Sequence, residues 1–261
     1  MKMLKNLLFE VKNHIGYVTL NREAAFNCFN YETLKELGEL VEEISTNKEV
    51  RVVIFTGAGE KAFSAGADLK ERRTLTDAQV KRNVNKISEV FHAVASLPQP
   101  TIAAINGVAF GGGFELMIAC DFRIAINEAK MGLTEVSWGI IPGAGGTQRL
   151  PRLIGEAKAK ELILTAQRFD ANEAYGFGLL TKVVEREQLM ATAIELAEKM
   201  MANAPIALQQ AKYAINYGMS VDVQTGLAIE SKAYEVTIPT KDRMEALVAF
   251  AEKRKPNFKG E

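Results

Sequence analysis

Two glutamates stand alone in apolar stretches, and glycine-rich sequence lies close to each of them. Glu115 follows three consecutive glycines, Gly111 to Gly113, at the head of an apolar run that predicts a buried helix. Glu135, 20 positions later, is again a single acid among apolar residues. A carboxylate in such surroundings is costly unless it is paired, hydrogen-bonded or protonated. These two carboxylates are therefore candidates for a general acid and a general base.

The glycines suit a second kind of chemistry. Glycine lets the backbone approach a ligand closely, and the N-terminus of a helix directs free N–H groups outward. Such N–H groups stabilise an oxygen that becomes negative during a reaction. A further glycine turn, residues 65–68 (AGAD), supplies N–H groups that could meet that of Gly112. The alternative is purely structural. The glycines would then form a turn before a helix, and Glu115 in the first turn of that helix would interact with the helix dipole.

The elements that must position these residues follow a recurring order of strand, strand and helix. Pro98 and Pro100 end the second helix, and the strand that leads to the glycine loop comes next. The order predicts an α/β fold of stacked β-β-α turns rather than a doubly wound sheet, although no literal sequence repeat is present. The predicted strands are residues 7–12, 14–21, 51–57, 102–105, 120–126 and 130–133, and the predicted helices are 31–45, 77–97, a helix starting near 114 and a helix from 146 through 150.

From residue 187 onward the pattern predicts helices only. We therefore expect a core with the active site over residues 1–186 and a C-terminal helical cap over residues 187–261. The predicted cap helices are residues 188–202, 206–217, 221–234 and 241–253.

Composition excludes several functional classes. The chain has 261 residues and a formal net charge of zero, so it lacks the basic field of a dedicated nucleic-acid binder. Its two cysteines form no disulfide framework, which fits a reducing cytosol, and its two histidines have no metal-ligand spacing. No apolar run reaches the roughly 20 residues of a membrane span, and the start of the chain lacks the apolar segment of a signal peptide.

Several other residues have a structural interpretation, and Trp138 has two. Trp138 either lines an acyl pocket or belongs to the core. Asp68 and Asp121 are candidates for turn or cap residues, and Cys120 for a small buried hydrophobe. The glycines of residues 143–146 do not form a dinucleotide loop, because Gln148 stands where the third glycine is required.

Three glycine-containing motifs follow one another along the chain: residues 63–71 (FSAGADLKE), 106–116 (NGVAFGGGFEL) and 141–151 (IPGAGGTQRLP). Together they resemble the enoyl-CoA hydratase, or crotonase, family, and the likeness extends from residues 17–22 to residues 250–256. The chain is most similar to the methylglutaconyl-CoA hydratases, through GADLKER at 66–72, AKMGL at 129–133 and TIPTKDR at 237–243.

The resemblance implies a crotonase-like β-β-α spiral with a C-terminal helical trimerisation region. It also implies that the N–H groups of Ala67 and Gly112 hold a thioester oxygen and stabilise an enolate. Glu115 and Glu135 would position a water molecule and transfer its protons, so that water adds across the α,β double bond. Coenzyme A would be bound as part of an acyl-CoA substrate, with no separate cofactor and no metal.

The same resemblance implies further contacts to substrate or CoA. Lys61 and Lys70 are similar to the cations that meet the CoA phosphates, with solvated charges as the alternative, and Gly143 resembles a backbone contact beside the site. The complete set of implied contacts is Lys61, Ala65, Gly66, Asp68, Leu69, Lys70, Gly111, Pro142 and Gly143.

Two departures from the family pattern limit what is carried over. Many members have Pro-Lys where this chain has Glu23-Ala24, so a lysine contact to CoA is not expected there. The RNA-binding member carries a comb of lysines at four-residue spacing, whereas the matching positions here are Tyr31, Lys35 and Glu39. We therefore expect no specific nucleic-acid binding.

The main expectation is hydration of short-chain or branched 2-enoyl-CoA thioesters by a cytoplasmic homotrimer or homohexamer, in β-oxidation of fatty acids or in branched-chain amino-acid catabolism. One alternative is a methylglutaconyl-CoA hydratase of leucine catabolism, in which Arg72 or Arg73 would meet the distal carboxylate unless both are solvent-exposed charges. Another is an enoyl-CoA isomerase, although isomerases of the family typically use one carboxylate. An RNA-binding protein is the least favoured.

Overall fold

The computed structural model describes residues 2–261, which divide into two units. The first comprises the chain up to Leu97 together with Thr101–Ile194, and the second comprises Pro98–Pro100 and Glu195–Glu261. Helix α8 (Leu189–Met201) crosses this division, with Leu189 and Ala193 buried at its start. A functional boundary at residue 187 stays a prediction.

The strands and helices have the following bounds. The strands are β1 (Lys2–Met3), β2 (Leu7–Lys12), β3 (Ile15–Leu20), β4 (Val52–Gly57), β5 (Ala62–Ser64), β6 (Thr101–Ile105), β7 (Val108–Phe110), β8 (Phe122–Ile126), β9 (Lys130–Gly132), β10 (Phe169–Asp170) and β11 (Lys182–Val184). The other helices are α1 (Tyr31–Thr46), α2 (Leu69–Arg72), α3 (Asp77–Ala95), α4 (Gly112–Ala119), α5 (Gly146–Ile154), α6 (Glu156–Leu164), α7 (Ala171–Gly176), α9 (Pro205–Gly218), α10 (Val223–Thr237) and α11 (Lys241–Ala251).

Local sequence signals account for the first elements. Asn13 and His14 have φ angles of 49° and 62°, which is the left-handed turn that joins β2 to β3. The side chain of Asn30 accepts a hydrogen bond from the Thr33 N–H and begins α1. Thr76 and Gln79 form a reciprocal capping box at the start of α3. These elements were predicted, and the structure confirms them.

Two sheets share the strands of the first unit. The larger sheet has the order β1-β2-β3-β4-β6-β8-β11, and its pairs from β3 through β11 are parallel. The smaller sheet has the order β10-β9-β7-β5, and β5, β7 and β9 are parallel to one another. From β4 to β9 the chain alternates between the sheets, placing one strand in each before a helix follows. The predicted β-β-α spiral is confirmed.

The smaller sheet was only partly predicted. Strands β5 and β7 have three residues each, which is too short for an apolar alternation to stand out from the neighbouring glycine turns. Strand β5 is nevertheless buried throughout, and it packs against the start of α4. A Cβ atom built on Gly113 would overlap the carbonyl oxygen of Ser64, so a glycine is required where α4 meets β5.

The second unit contains α9 to α11 and the greater part of α8. Helices α9 and α10 pack closely, since a Cβ atom built on Gly226 would lie 3.4 Å from the carbonyl oxygen of Gly218. None of the residues of α9 is buried. No helix within residues 2–261 combines the length and apolar character needed to cross a bilayer.

Candidate active site

A cleft of about 590 Å³ opens in the first unit, where the glycine loops and both glutamates meet. Nine of the residues expected at the site line it. They are Ala65, Ala67, Asp68, Leu69, Gly111, Gly112, Glu115, Glu135 and Gly143. The rest of the wall is largely apolar and includes Phe29, Leu34, Leu75, Val80, Val84, Ile87, Phe110, Trp138, Ile140 and Ile141.

Four of the expected residues do not line the cleft. Gly66 and Pro142 are buried behind their neighbours, while Lys61 and Lys70 are exposed. Gly66 has a φ of 96°, a conformation that favours glycine, so it shapes the loop that carries Ala67. The proposed contact of the two lysines with CoA phosphates stays a prediction.

The backbone register fixes the direction of the Ala67 N–H. A parallel bridge pairs Ala67 with Phe29, through a bond from the Phe29 N–H to the Gly66 oxygen and one from the Asp68 N–H to the Phe29 oxygen. Both bonds use the neighbours of Ala67, so its own N–H is directed away from Phe29. Within residues 2–261 that N–H has no backbone acceptor.

Gly112 supplies a second free N–H. It is the first residue of α4, so its N–H has no partner inside the helix, and the described chain provides no other backbone acceptor. Gly111 before it has a φ of 50° and a ψ of −122°, which only glycine adopts readily. The two loops approach closely, because a Cβ atom built on Gly66 would lie 3.1 Å from the Gly112 nitrogen. Two free donors therefore lie at one wall of the cleft.

Two backbone donors hold the carboxylate of Glu115. Its Oε1 accepts hydrogen bonds from the N–H of Ala144 at 2.7 Å and the N–H of Gly146 at 2.8 Å. Gly146 begins α5, so the carboxylate lies at the N-terminus of that helix. Burial raises the pKa of Glu115, and the two N–H bonds and the nearby Arg149 oppose the rise.

Glu135 has a different environment. Its Oε2 is buried and, within the described chain, accepts no hydrogen bond. Burial, together with the neighbouring charge of Glu115, raises the pKa of Glu135 to about 7, while its own backbone N–H and then Arg72 oppose the rise. The two acids therefore differ: Glu115 accepts two hydrogen bonds from the loop before α5, whereas Glu135, with its pKa of about 7, is about half protonated at neutral pH.

The chain matches the enoyl-CoA hydratase/isomerase family over residues 10–261. It belongs to the enoyl-CoA hydratase/isomerase family. It is 46% identical to the short-chain-enoyl-CoA hydratase of Clostridium acetobutylicum, covering 97% of each chain. It is 47% identical to the human mitochondrial methylglutaconyl-CoA hydratase, covering 97% of this chain and 76% of the relative. The protein is thus an enzyme of the enoyl-CoA hydratase type.

Solved structures agree with this assignment. An enoyl-CoA hydratase from Bacillus anthracis superposes with a TM-score of 0.96 at 52% identity, covering 98% of this chain and all of the other. The crotonase-like fold expected from the motifs is confirmed.

Asp68 lies at the cleft, but its carboxylate is already bound by other groups of the chain. Its carboxylate caps α2 by accepting bonds from the Lys70 and Glu71 N–H groups, and it pairs with Arg22 at 2.8 Å. The Arg22 bond and the backbone bonds hold the pKa of Asp68 below its ordinary value, although burial opposes them. The interpretation as a cap residue is therefore confirmed, and the ion pair fixes the loop that follows Ala67.

The structure settles three further interpretations. Cys120 is buried, as expected of a small hydrophobe. Asp121 accepts hydrogen bonds from the backbone N–H and the hydroxyl of Thr101, so it links the starts of the paired strands β6 and β8. Trp138 is 64% exposed and lines the cleft, which makes it a wall residue rather than a core residue.

The structure places Arg72 and Arg73 in different surroundings. Arg72 lines the cleft and is half-buried, whereas Arg73 is exposed and lies outside it. The guanidinium of Arg72 makes no ion pair or side-chain hydrogen bond within residues 2–261. Its charge instead acts on Glu135.

The residues that orient Glu115 were not predicted from the sequence. Ala144, Gly146 and Arg149 stood out there only as members of a glycine-rich motif. One signal could have indicated them. An isolated acid in an apolar stretch needs donors, and a later glycine loop before a helix can donate N–H groups to a carboxylate.

Proposed function

We propose that this protein hydrates 2-enoyl-CoA thioesters. The observation that carries the proposal is the convergence of two free N–H groups and two unlike carboxylates on one largely apolar cleft. The N–H groups of Ala67 and Gly112 would bind the thioester oxygen and stabilise the negative charge of an enolate. The apolar wall would enclose the acyl chain and exclude water other than the reacting molecule.

The unlike environments of the acids suggest how they divide the work. Glu115, held as a carboxylate by two N–H donors, would accept a proton from water as the water oxygen bonds to Cβ. The electrons of the double bond would move onto the thioester oxygen between Ala67 and Gly112. Glu135 in its protonated form would then donate its proton to Cα and complete the addition of water, and transfer of a proton from Glu115 back to Glu135 through solvent would restore the starting pair.

An isomerase is the weaker candidate. Shifting a double bond needs one group to remove a proton and return it, whereas hydration uses both acids. The presence of both Glu115 and Glu135 at the cleft supports hydration. Conversion of 3-enoyl-CoA to 2-enoyl-CoA at a rate above that of hydration would favour the isomerase instead.

Arg72 favours a second candidate within the same reaction, a substrate with a carboxylate at the far end of its acyl chain. A carboxylate in a largely apolar cleft needs a cation or several donors, and Arg72 is a cation without an ion-pair partner at the wall. A relative, the human methylglutaconyl-CoA hydratase, is named for such a substrate. Hydration of 3-methylglutaconyl-CoA is therefore the specialised form of the proposal.

Hydration rates on a panel of enoyl-CoA thioesters test both forms. Loss of the conjugated-thioester absorbance of crotonyl-CoA would support the general proposal, and no hydration of any 2-enoyl-CoA would refute it. For the specialised form, Arg72→Met should lower kcat/KM for 3-methylglutaconyl-CoA by about 10- to 100-fold, the worth of a charged hydrogen bond.

The same variant should spare crotonyl-CoA at a pH below 7, and Arg73→Met, outside the cleft, is the matched control. Equal losses on both substrates, or none, would reduce the function to that of a general short-chain hydratase.

Assembly, location and pathway belong to the same proposal. The exposed apolar residues of the second unit support a homotrimer or a pair of trimers, with a role in β-oxidation or branched-chain amino-acid catabolism in the cytoplasm. Coenzyme A is proposed as part of the substrate, with Lys61 and Lys70 near its phosphates. The expected lack of specific RNA binding also stays a prediction.

A further inference from the structure

Arg149 lies behind the loop that holds Glu115. Its Nη1 donates a hydrogen bond of 2.8 Å to the carbonyl oxygen of Ala144, whose own N–H holds the carboxylate of Glu115. Arg149 is half-buried and does not line the cleft. It thus touches the support of the carboxylate rather than any position that a substrate would occupy.

The loop is folded around this guanidinium. Gly145 has a φ of 106°, and a Cβ atom built on it would overlap the Nη1 of Arg149. Gly146 is also restricted, because a Cβ atom built on it would lie 3.0 Å from the Glu115 Oε1. The peptide units from Ala144 to Gly146 are therefore held between a cation on one side and a carboxylate on the other.

We propose that Arg149 is the positioning residue of this active site: by holding the Ala144 carbonyl it aims two N–H groups at Glu115 and keeps that carboxylate oriented for its reaction. The effect expected on kcat rests on the proposed function. The placement of Arg149 behind the loop that holds Glu115 rests on geometry alone. Arg149 acts through the loop, so it is not a catalytic residue.

The charges around Glu115 are few. The Glu135 carboxyl faces it across the cleft, and Arg149 is the cation that acts on it, while Arg72 acts on Glu135. The Cys120 thiol and Glu115 are the acidic groups that act on Arg149. Removing the guanidinium leaves Glu115 with its two N–H bonds at most, so its pKa should rise further.

The test compares Arg149→Met, Arg149→Lys and Arg152→Met. Arg152 lies on the same helix and also donates to a carbonyl oxygen, that of Gln148, but it is exposed, and within residues 2–261 its guanidinium bonds no group of residues 144–146. Arg149→Met should lower kcat for crotonyl-CoA by about 10- to 100-fold through misorientation, with KM nearly unchanged. The acidic limb of its kcat–pH profile should move to higher pH, since Glu115 must be ionised to accept a proton.

Arg149→Lys keeps the charge and should restore the position of the acidic limb and part of kcat, while Arg152→Met should match the wild type. A folded Arg149→Met variant with the wild-type kcat and acidic limb would overturn the inference. So would equal losses in the Lys and Met variants with no shift of the limb, because that pattern indicates a purely structural role.

A second readout separates this inference from the proposed function. The pKa of Glu115 can be followed by carbon-13 NMR of glutamate-labelled protein without substrate, using Glu115→Gln to assign the signal. Arg149→Met should raise this pKa and Arg152→Met should not, even if the wild type hydrates no enoyl-CoA. An unchanged Glu115 pKa in the folded Arg149→Met variant would refute the electrostatic part of the role.

Discussion

At the scale of single residues, the site depends on backbone groups as much as on side chains. Ala67 and Gly112 contribute N–H groups, and Glu115 is held by the N–H groups of Ala144 and Gly146. Such contributions do not depend on side-chain type, so substitutions must be chosen to remove the N–H itself. Proline is the one residue that does so.

Gly112→Pro should lower kcat by about 10²-fold, or roughly 3 kcal/mol of transition-state stabilisation, because one oxyanion donor is lost. Proline is tolerated at the first position of a helix, which is where Gly112 lies in α4. Gly112→Ala is the matched control, since it adds the same first carbon near Ile87 but keeps the N–H. Similar rates for the proline and alanine variants would remove this N–H from the reaction.

The pKa of Glu135 gives a pH prediction. With a value of about 7, Glu135 is protonated and able to act as an acid below neutral pH, so kcat should fall as the pH rises through about 7. Arg72 lowers this pKa, so Arg72→Met should move the basic limb to higher pH. A basic limb that stays in place in Arg72→Met would show that another group controls it.

At the scale of elements, the site depends on the packing of α4 against β5. The loop that carries Ala67 follows β5, and Gly112 begins α4, so the contact at Gly113 sets the distance between the two donors. A side chain at position 113 would push α4 away from β5.

Gly113→Ala should therefore destabilise the fold by about 1–3 kcal/mol, the usual cost of overpacking, and should also lower kcat. Thermal unfolding measures the first effect and crotonyl-CoA hydration the second. Gly176→Ala is the matched control, because a Cβ atom built on Gly176, at the end of α7, would meet nothing within 4 Å. Equal melting temperatures for the two variants would contradict the importance of the α4–β5 contact.

The elements that were predicted share a strong periodic signal. Helices α1 and α3 have apolar stripes and capping residues, and β4 and β6 are buried apolar runs, so each was predicted close to its observed bounds. Strands β5 and β7 were missed because three residues carry no period. The region of α6, α7, β10 and β11 received no interpretation from the sequence.

The site was predicted in part for a similar reason. Isolated acids beside glycine loops indicated Glu115 and Glu135, and the motifs indicated the Ala67 and Gly112 donors. The bonds from Ala144 and Gly146 to Glu115 cross 29 and 31 positions of sequence, which no local pattern reveals. The role of Arg149 becomes visible only once these bonds are known, because Arg149 holds the carbonyl of Ala144. Likewise, only the folded chain distinguishes Arg72 from Arg73.

At the scale of the whole molecule, the second unit exposes several large apolar side chains. Ile215 is 64% exposed, Met219 and Val223 are each 78% exposed, and Phe250 is 86% exposed. Large apolar side chains exposed to this degree are typical of an interface between subunits.

Sedimentation should therefore give about three or six times the 28.7 kDa of one chain. Phe250→Glu should weaken the assembly, because it places a charge where apolar contact is expected. Lys253→Glu, a polar change nearby, should not. A stable and fully active monomer of 28.7 kDa would contradict the prediction.

The most direct test of the central claim is the kcat for crotonyl-CoA hydration by the wild type, Glu115→Gln and Glu135→Gln. Each glutamine keeps the shape of the side chain but removes its ability to exchange a proton. We expect measurable hydration by the wild type and a loss of about 10²-fold or more in each folded variant, the size of one acid–base contribution. Wild-type kcat in either variant would show that its glutamate does not transfer a proton, and would contradict hydration by this pair of carboxylates.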